Sequence, residues 1–133
     1  MSRRTLLHLH GESFARRYQV ASMAITAAAG GDDVRIVLWF EGLFRLVRGG
    51  FDEARAGDRE DEEVVRRHAA LELPAPSALL REARQLGARL YACETGVLLA
   101  GLRPEEVRPA VDDILGLQQI HALAREADVV LYV

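Results

Sequence analysis

Cys93 is the only cysteine among the 133 residues, and its thiolate would be the strongest nucleophile in the chain. The surrounding pattern predicts that a strand ends at this residue and that a short helix follows it. Backbone N–H groups at the start of a helix stabilise a thiolate, whereas the adjacent carboxylate of Glu94 favours the neutral thiol. The sequence therefore leaves two interpretations of Cys93, a reactive thiol or a small buried hydrophobic residue.

His8 and His10 lie two residues apart on a predicted strand, so their side chains share one face of it. Two histidines could begin a metal site, but no third ligand is recognisable by spacing, and strand histidines that pack or hydrogen-bond are more common. We therefore expect no metal site. His10 could instead serve Cys93 as a base or as an ion-pair partner.

Several familiar chemistries are excluded by motif. There is no Cys-x-x-Cys, no phosphate-binding G-x-x-x-x-G-K-[ST] loop and no Gly-x-Ser-x-Gly. A cysteine phosphatase loop would need an arginine six residues after Cys93, where the chain has Leu99. The chain has no lysine, so Schiff-base mechanisms are excluded as well. What remains is a chemistry of one cysteine or no chemistry.

Composition indicates a single globular domain spanning residues 1–133, with 50% hydrophobic and 28% charged residues. A net charge of −3 provides no basic surface that would attract nucleic acid or anionic lipid. No apolar run approaches the length of a membrane-spanning helix. With one cysteine and no convincing export signal, we expect a cytoplasmic protein that binds neither nucleic acid directly nor a membrane.

Strands and helices are predicted to alternate along the chain. Apolar runs predict strands at residues 5–9, 34–40, 88–92 and 129–133, and helical spacing predicts helices at residues 13–28, 43–47, 77–86, 94–100 and 116–127. The charged stretch at about 51–73 is interpreted as a solvated excursion or a mobile lid. This order is typical of an α/β fold, a doubly wound and mostly parallel sheet of about five strands with helices on both faces.

In such a fold the carboxyl ends of the strands meet along one edge of the sheet, where ligands bind. The residues expected at that edge follow three of the predicted strands: His10, Gly11 and Glu12; Glu41 and Gly42; and Cys93, Glu94 and Thr95. This edge is the predicted functional site.

The chain resembles the DsrE/DsrF-like family of small sulfur-relay proteins. The resemblance rests on the long first helix that ends in glycines, on residues 34–43, and above all on the segment Gly87-Ala88-Arg89-Leu90-Tyr91-Ala92-Cys93-Glu94-Thr95-Gly96. Residues 101–106 and 127–133 also resemble the family. Together these segments cover most of the chain outside residues 51–73.

The resemblance implies a homotrimer or homohexamer that carries sulfur as a persulfide on Cys93, without a cofactor, between donor and acceptor proteins. Candidate neighbours of the sulfur are His10, Gly11, Glu12, Glu41, Glu94 and Thr95. The alternative is an oligomeric scaffold or small-ligand-binding protein of the same fold in which Cys93 is only packed. The relay hypothesis expects the sulfur to be exposed at the rim of the molecule.

Overall fold

The computed structural model describes residues 2–133 and forms an α/β fold around one parallel sheet. Its five strands are β1 (Arg4–Leu9), β2 (Asp33–Leu38), β3 (Arg89–Cys93), β4 (Asp113–Leu115) and β5 (Val129–Tyr132). Its helices are α1 (Phe14–Ala29), α2 (Phe40–Arg48), α3 (Arg59–Ala70), α4 (Pro76–Gln85), α5 (Glu94–Leu99), α6 (Pro104–Val107) and α7 (Leu117–Glu126), with a 3-10 turn at Arg108–Ala110. The predicted fold class is confirmed.

The strand order is β4-β3-β2-β1-β5, and every neighbouring pair is parallel. The chain steps from β1 to β4 in one direction and then crosses back to place β5 beside β1. Because such crossovers are right-handed, this reversal puts α7 on the face opposite α1 and α4. Part of the sheet face under α7 is formed by Leu6, Val37 and Cys93, which pack with Ile120 of that helix.

Local sequence explains the first crossover. Ser13 caps α1, where its hydroxyl accepts a hydrogen bond from the backbone N–H of Arg16 over 3.2 Å. Val20, Ala21 and Ala24 then recur at helical spacing and are fully buried against the sheet. This helix matches the prediction closely.

The region after β2 differs from the prediction. The continuous apolar run to Phe40 predicts a strand, but β2 ends at Leu38 and α2 begins at Phe40. Phe40 has a φ of 41°, in the left-handed region that side-chain-bearing residues rarely adopt. Trp39 is therefore held at the turn between a strand and a helix, at the carboxyl edge of the sheet.

The charged stretch at residues 51–73 contains regular secondary structure, in contrast to the predicted solvated excursion. It contains the twelve-residue helix α3, which Asp58 caps by accepting from the backbone N–H of Asp61 over 3.1 Å. Most α3 side chains are exposed, which is why no apolar periodicity marks this helix in the sequence. Asp61 is the exception, because it is buried.

A buried ion pair fastens this stretch to α1. The Arg17 guanidinium lies 3.7 Å from the Asp61 carboxylate and donates hydrogen bonds to the carbonyl oxygens of Gly50 (3.1 Å), Phe51 and Glu53 (2.9 Å). Asp61 also accepts from the backbone N–H groups of Phe14 and Arg55, each over 2.7 Å. One guanidinium and one carboxylate thus satisfy backbone groups from α1 and from the stretch before α3.

Replacing Arg17 by methionine should destabilise the fold strongly. The variant keeps an apolar stem but leaves Asp61 as a buried charge without its cation and removes the donor for three carbonyls. Breaking a buried pair costs about 3–5 kcal/mol in the free energy of unfolding, measurable by urea denaturation. The matched control is Arg66→Met, which removes an exposed pair with Glu63 and should cost less than about 1 kcal/mol. Equal losses in the two variants would contradict this account.

Candidate functional site

Cys93 is the last residue of β3 and immediately precedes α5. The strand-to-helix junction predicted from the sequence is therefore present at this residue. β3 is a central strand of a parallel sheet, so the junction lies at the carboxyl edge, as expected. Glu94 and Thr95 follow in the first turn of α5, and both are exposed.

The Cys93 side chain itself has no exposed surface. It lies in a cluster with Leu6, Val37, Leu115 and Ile120, against which the half-buried Trp39 packs. The expectation of a sulfur exposed at the rim is therefore wrong. The physical reason is alternation along β3, which turns the sulfur toward the sheet face that α7 covers rather than toward the open edge.

Trp39 separates Cys93 from His10. Leu9 of β1 pairs with Leu38 of β2, and Leu38 pairs with Ala92 of β3. The residues that follow these three, His10, Trp39 and Cys93, therefore lie side by side in one row across the sheet. Two strand spacings put the backbones of His10 and Cys93 about 10 Å apart. The row thus places Trp39 between His10 and Cys93, and a direct role of His10 as a base or ion-pair partner of the thiol stays a prediction.

The indole of Trp39 lies close to the backbone around the thiol. A Cβ built on Gly96 would lie 3.5 Å from Cys93 Cβ and 3.7 Å from Trp39 Cε3. Gly96 therefore borders both side chains, and the indole packs close to the first turn of α5. No sequence motif indicated that Trp39 lies next to Cys93. Its position at the end of β2 was the one signal that could have placed it there.

His8 is held as a neutral imidazole. Trp39 donates its indole N–H to His8 Nδ1 over 3.0 Å, so Nδ1 acts as an acceptor and the ring proton belongs on Nε2. Nε2 is buried and has no hydrogen-bond partner among the residues that the structure describes. Burial, and to a smaller extent the positive charge of the neighbouring His10, lower the pKa of His8 from 6.5 to about 4.

This hydrogen bond also bears on metal binding. A neutral histidine that binds a metal through Nε2 carries its proton on Nδ1, where it would meet the indole N–H donor of Trp39. His8 is therefore unsuited to bind a metal while this contact persists. Within residues 2–133, no group of three or more His, Cys, Asp or Glu side chains is arranged to hold a metal ion.

Five rings gather at the carboxyl ends of β1, β2 and β5, and we call them the histidine–aromatic cluster: His8, His10, Trp39, Phe40 and Tyr132. Tyr132 stacks on His8 with ring centres 4.3 Å apart and planes within 7°. The exposed His10 lies 4.9 Å from Trp39 and 5.8 Å from Tyr132. Of these five residues, the sequence had placed only His10 at this edge, and the three aromatic residues were not predicted there.

Gly11, Glu12 and Glu41, the other predicted residues of this edge, have contacts of their own. Arg55 contacts both Glu12 (3.2 Å) and Glu41 (3.1 Å), so the charged stretch before α3 ties together the segments that follow β1 and β2. Gly11 donates its backbone N–H to the carbonyl of Val133 over 2.7 Å. These contacts link the segments that follow β1 and β2 to the charged stretch and to the end of the chain.

Comparison with known proteins defines the fold alone. No family model and no curated protein matches the chain. A solved structure, that of the protein of unknown function MTH1491 from Methanobacterium thermoautotrophicum, is similar with a TM-score of 0.65 and 15% identity. The similarity covers 99% of this chain and 100% of that one. Separately, no helix in the described part of the chain combines the length and apolarity needed to cross a membrane.

The lowered pKa of His8 predicts a loss of stability in mild acid. The unfolded chain binds a proton at His8 below pH 6.5, whereas the folded chain binds it only near pH 4. The contribution of His8 to the free energy of unfolding is fully present above pH 6.5. It falls as the pH drops toward 4, by on the order of 3 kcal/mol in total.

Urea denaturation at a series of pH values from 7.5 to 4.5 would measure this dependence. His8→Gln should flatten the slope between pH 6.5 and 4.5, while His121→Gln, on the exposed surface of α7, should leave it unchanged. An unchanged slope in His8→Gln would show that another group causes the acid sensitivity.

Proposed function

We propose that the protein is a small sulfur-relay protein that carries sulfur as a persulfide on Cys93 and passes it to an acceptor thiol. The observation that carries the proposal is the position of the sole cysteine, at the junction of β3 and α5 on the carboxyl edge of a parallel sheet. The resemblance of the sequence to the DsrE/DsrF-like family supports the same proposal. The similarity to MTH1491 supports the fold and has no bearing on activity.

The proposed chemistry needs one thiolate and no cofactor. The Cys93 thiolate attacks the outer sulfur of a donor persulfide, a new S–S bond forms to Cys93, and the donor leaves as a thiolate. An acceptor thiolate then attacks the outer sulfur on Cys93, and the Cys93 thiolate leaves. Each step exchanges one S–S bond for another, so no external oxidant or reductant is required.

The partners in this proposal are proteins. A donor persulfide protein and an acceptor thiol protein would meet the carboxyl edge in the cytoplasm, and the chain would assemble as a homotrimer or homohexamer. The burial of Cys93 adds a requirement, because a sulfur without exposed surface reaches neither partner. Transfer therefore requires that the layer over Cys93 opens.

The same burial favours a second candidate, an oligomeric scaffold or small-ligand-binding protein in which Cys93 only packs. A sulfur surrounded by Leu6, Val37, Leu115 and Ile120 behaves as a core residue. The buried Nε2 of His8, which lacks a partner in the described chain, would give such a protein a donor for a ligand at the histidine–aromatic cluster.

Persulfide loading separates the two candidates. Native protein incubated with glutathione persulfide and analysed by intact mass should gain one sulfur atom, about 32 Da, on Cys93. Cys93→Ser removes one sulfur atom and should gain nothing under the same conditions. Equal gain in both proteins, or gain only after the wild type is unfolded, would contradict the relay and favour the scaffold.

A further inference from the structure

We propose that Trp39 is the gate of the Cys93 thiol, and that the indole swings away to expose the sulfur on the side of His10. This inference rests on the proposed function, since it states how access to the same site is controlled. It makes Trp39 a positioning residue, one that takes no part in the sulfur chemistry.

The position of Trp39 is the first support. In the row across the carboxyl edge, Trp39 is the neighbour of Cys93 on one side and of the exposed His10 on the other. On its other side, Cys93 pairs with Leu115 of β4, and Ile120 of α7 packs into the same cluster. Those residues are buried, whereas Trp39 is only half-buried. The indole is thus a half-buried part of the packing around this cluster, on the side of the exposed His10.

The attachment of the indole is the second support. Its N–H makes one hydrogen bond, to His8 Nδ1, and its benzene edge rests over Gly96, which has no side chain to interlock with it. This hydrogen bond contributes modestly to the closed state and the packing of the indole on His10 and on the cluster around Cys93 contributes the rest, so the open position is a minor state of the folded protein.

The turn that carries Trp39 is the third support. Trp39 ends the extended backbone of β2, and the next residue, Phe40, adopts a φ of 41°. Relaxation of Phe40 toward a negative φ would reorient the peptide that joins it to Trp39. β2 would stay paired through Leu38, since the pairing of β2 with β1 and with β3 ends at that residue.

Opening leaves a paired group unpaired, which explains why the closed state is favoured. When the indole leaves, His8 Nδ1 loses its donor, while the Tyr132 ring still stacks on the imidazole. A docking partner that approaches His10 and Tyr132, both exposed, would meet the indole at the border of the cluster. Binding there would select the open position and bring the partner to the sulfur.

The test is the rate at which a maleimide labels Cys93 in the native protein, measured by intact mass from zero to moderate urea. A local opening exposes little surface, so labelling through the gate is nearly independent of urea, whereas labelling through global unfolding rises steeply with it. The variants are Trp39→Phe, which keeps a ring but lacks the N–H, and Trp39→Ala. The control is Phe44→Ala, which removes a partly exposed ring of α2 outside the cluster.

We expect wild type to label by a urea-independent route, Trp39→Phe to label about tenfold faster by that route because it lacks a hydrogen bond, and Trp39→Ala faster still. Phe44→Ala should keep the wild-type urea-independent rate. Urea denaturation of each variant gives the rate that global unfolding alone would allow. The gate proposal would be contradicted if every protein were labelled only at the rate that global unfolding allows. It would also be contradicted if the urea-independent labelling rate of Trp39→Phe equalled that of the wild type.

Persulfide loading of the same proteins keeps the two proposals apart. A faster maleimide reaction in Trp39→Phe without any gain of sulfur supports the gate and contradicts the relay. Sulfur gained by wild type and Trp39→Phe at equal rates supports the relay and contradicts the gate. Parallel acceleration of both reactions in Trp39→Phe supports both.

Discussion

Trp39 donates its indole N–H to the buried Nδ1 of His8, and this hydrogen bond organises the carboxyl edge of the sheet. It fixes the ring proton of His8 on Nε2 and holds the indole beside the first turn of α5. Because burial also lowers the pKa of His8, the imidazole is neutral across the physiological range. One contact between two neighbouring strands therefore sets the protonation state of His8, disfavours His8 as a metal ligand and holds the indole near the cluster that contains Cys93.

The rest of the fold keeps this contact in place. Parallel pairing of β1, β2 and β3 brings His10, Trp39 and Cys93 into one row. Helix α7 packs on the face of the sheet toward which the Cys93 side chain points. On the other side, Arg17 and Asp61 join α1 to the charged stretch, and Arg55 from that stretch contacts Glu12 and Glu41. The stretch thus links the segments that follow β1 and β2, and its residues Arg55 and Asp61 have ion-pair partners within the fold.

A sulfur carrier needs a thiol that is protected from solvent and that can also be reached from the surface. A buried cysteine close to the carboxyl edge of the sheet would combine these two properties. A persulfide is readily lost to any thiol that reaches it, so protection from solvent thiols is useful between transfers. Transfer in turn needs a route to the surface, and the half-buried indole lies where such a route would begin. The same geometry would serve a packed core cysteine equally well, and the chemistry of the native thiol distinguishes these functions.

The sequence by itself determined the order of the main elements, the α/β class and the position of Cys93 at a strand-to-helix junction, because apolar periodicity, glycines and helix caps are local signals. It missed α3, whose exposed charges conceal any periodicity, and the three-residue β4, which is too short to show one. It also missed the turn at Phe40, since a continuous apolar run extends past the end of β2. Only the tertiary structure decided that the sulfur is buried and that Trp39 stands between it and His10. Those facts depend on the register of three strands and on the side chains of α7, which are distant in sequence and meet only in the folded chain.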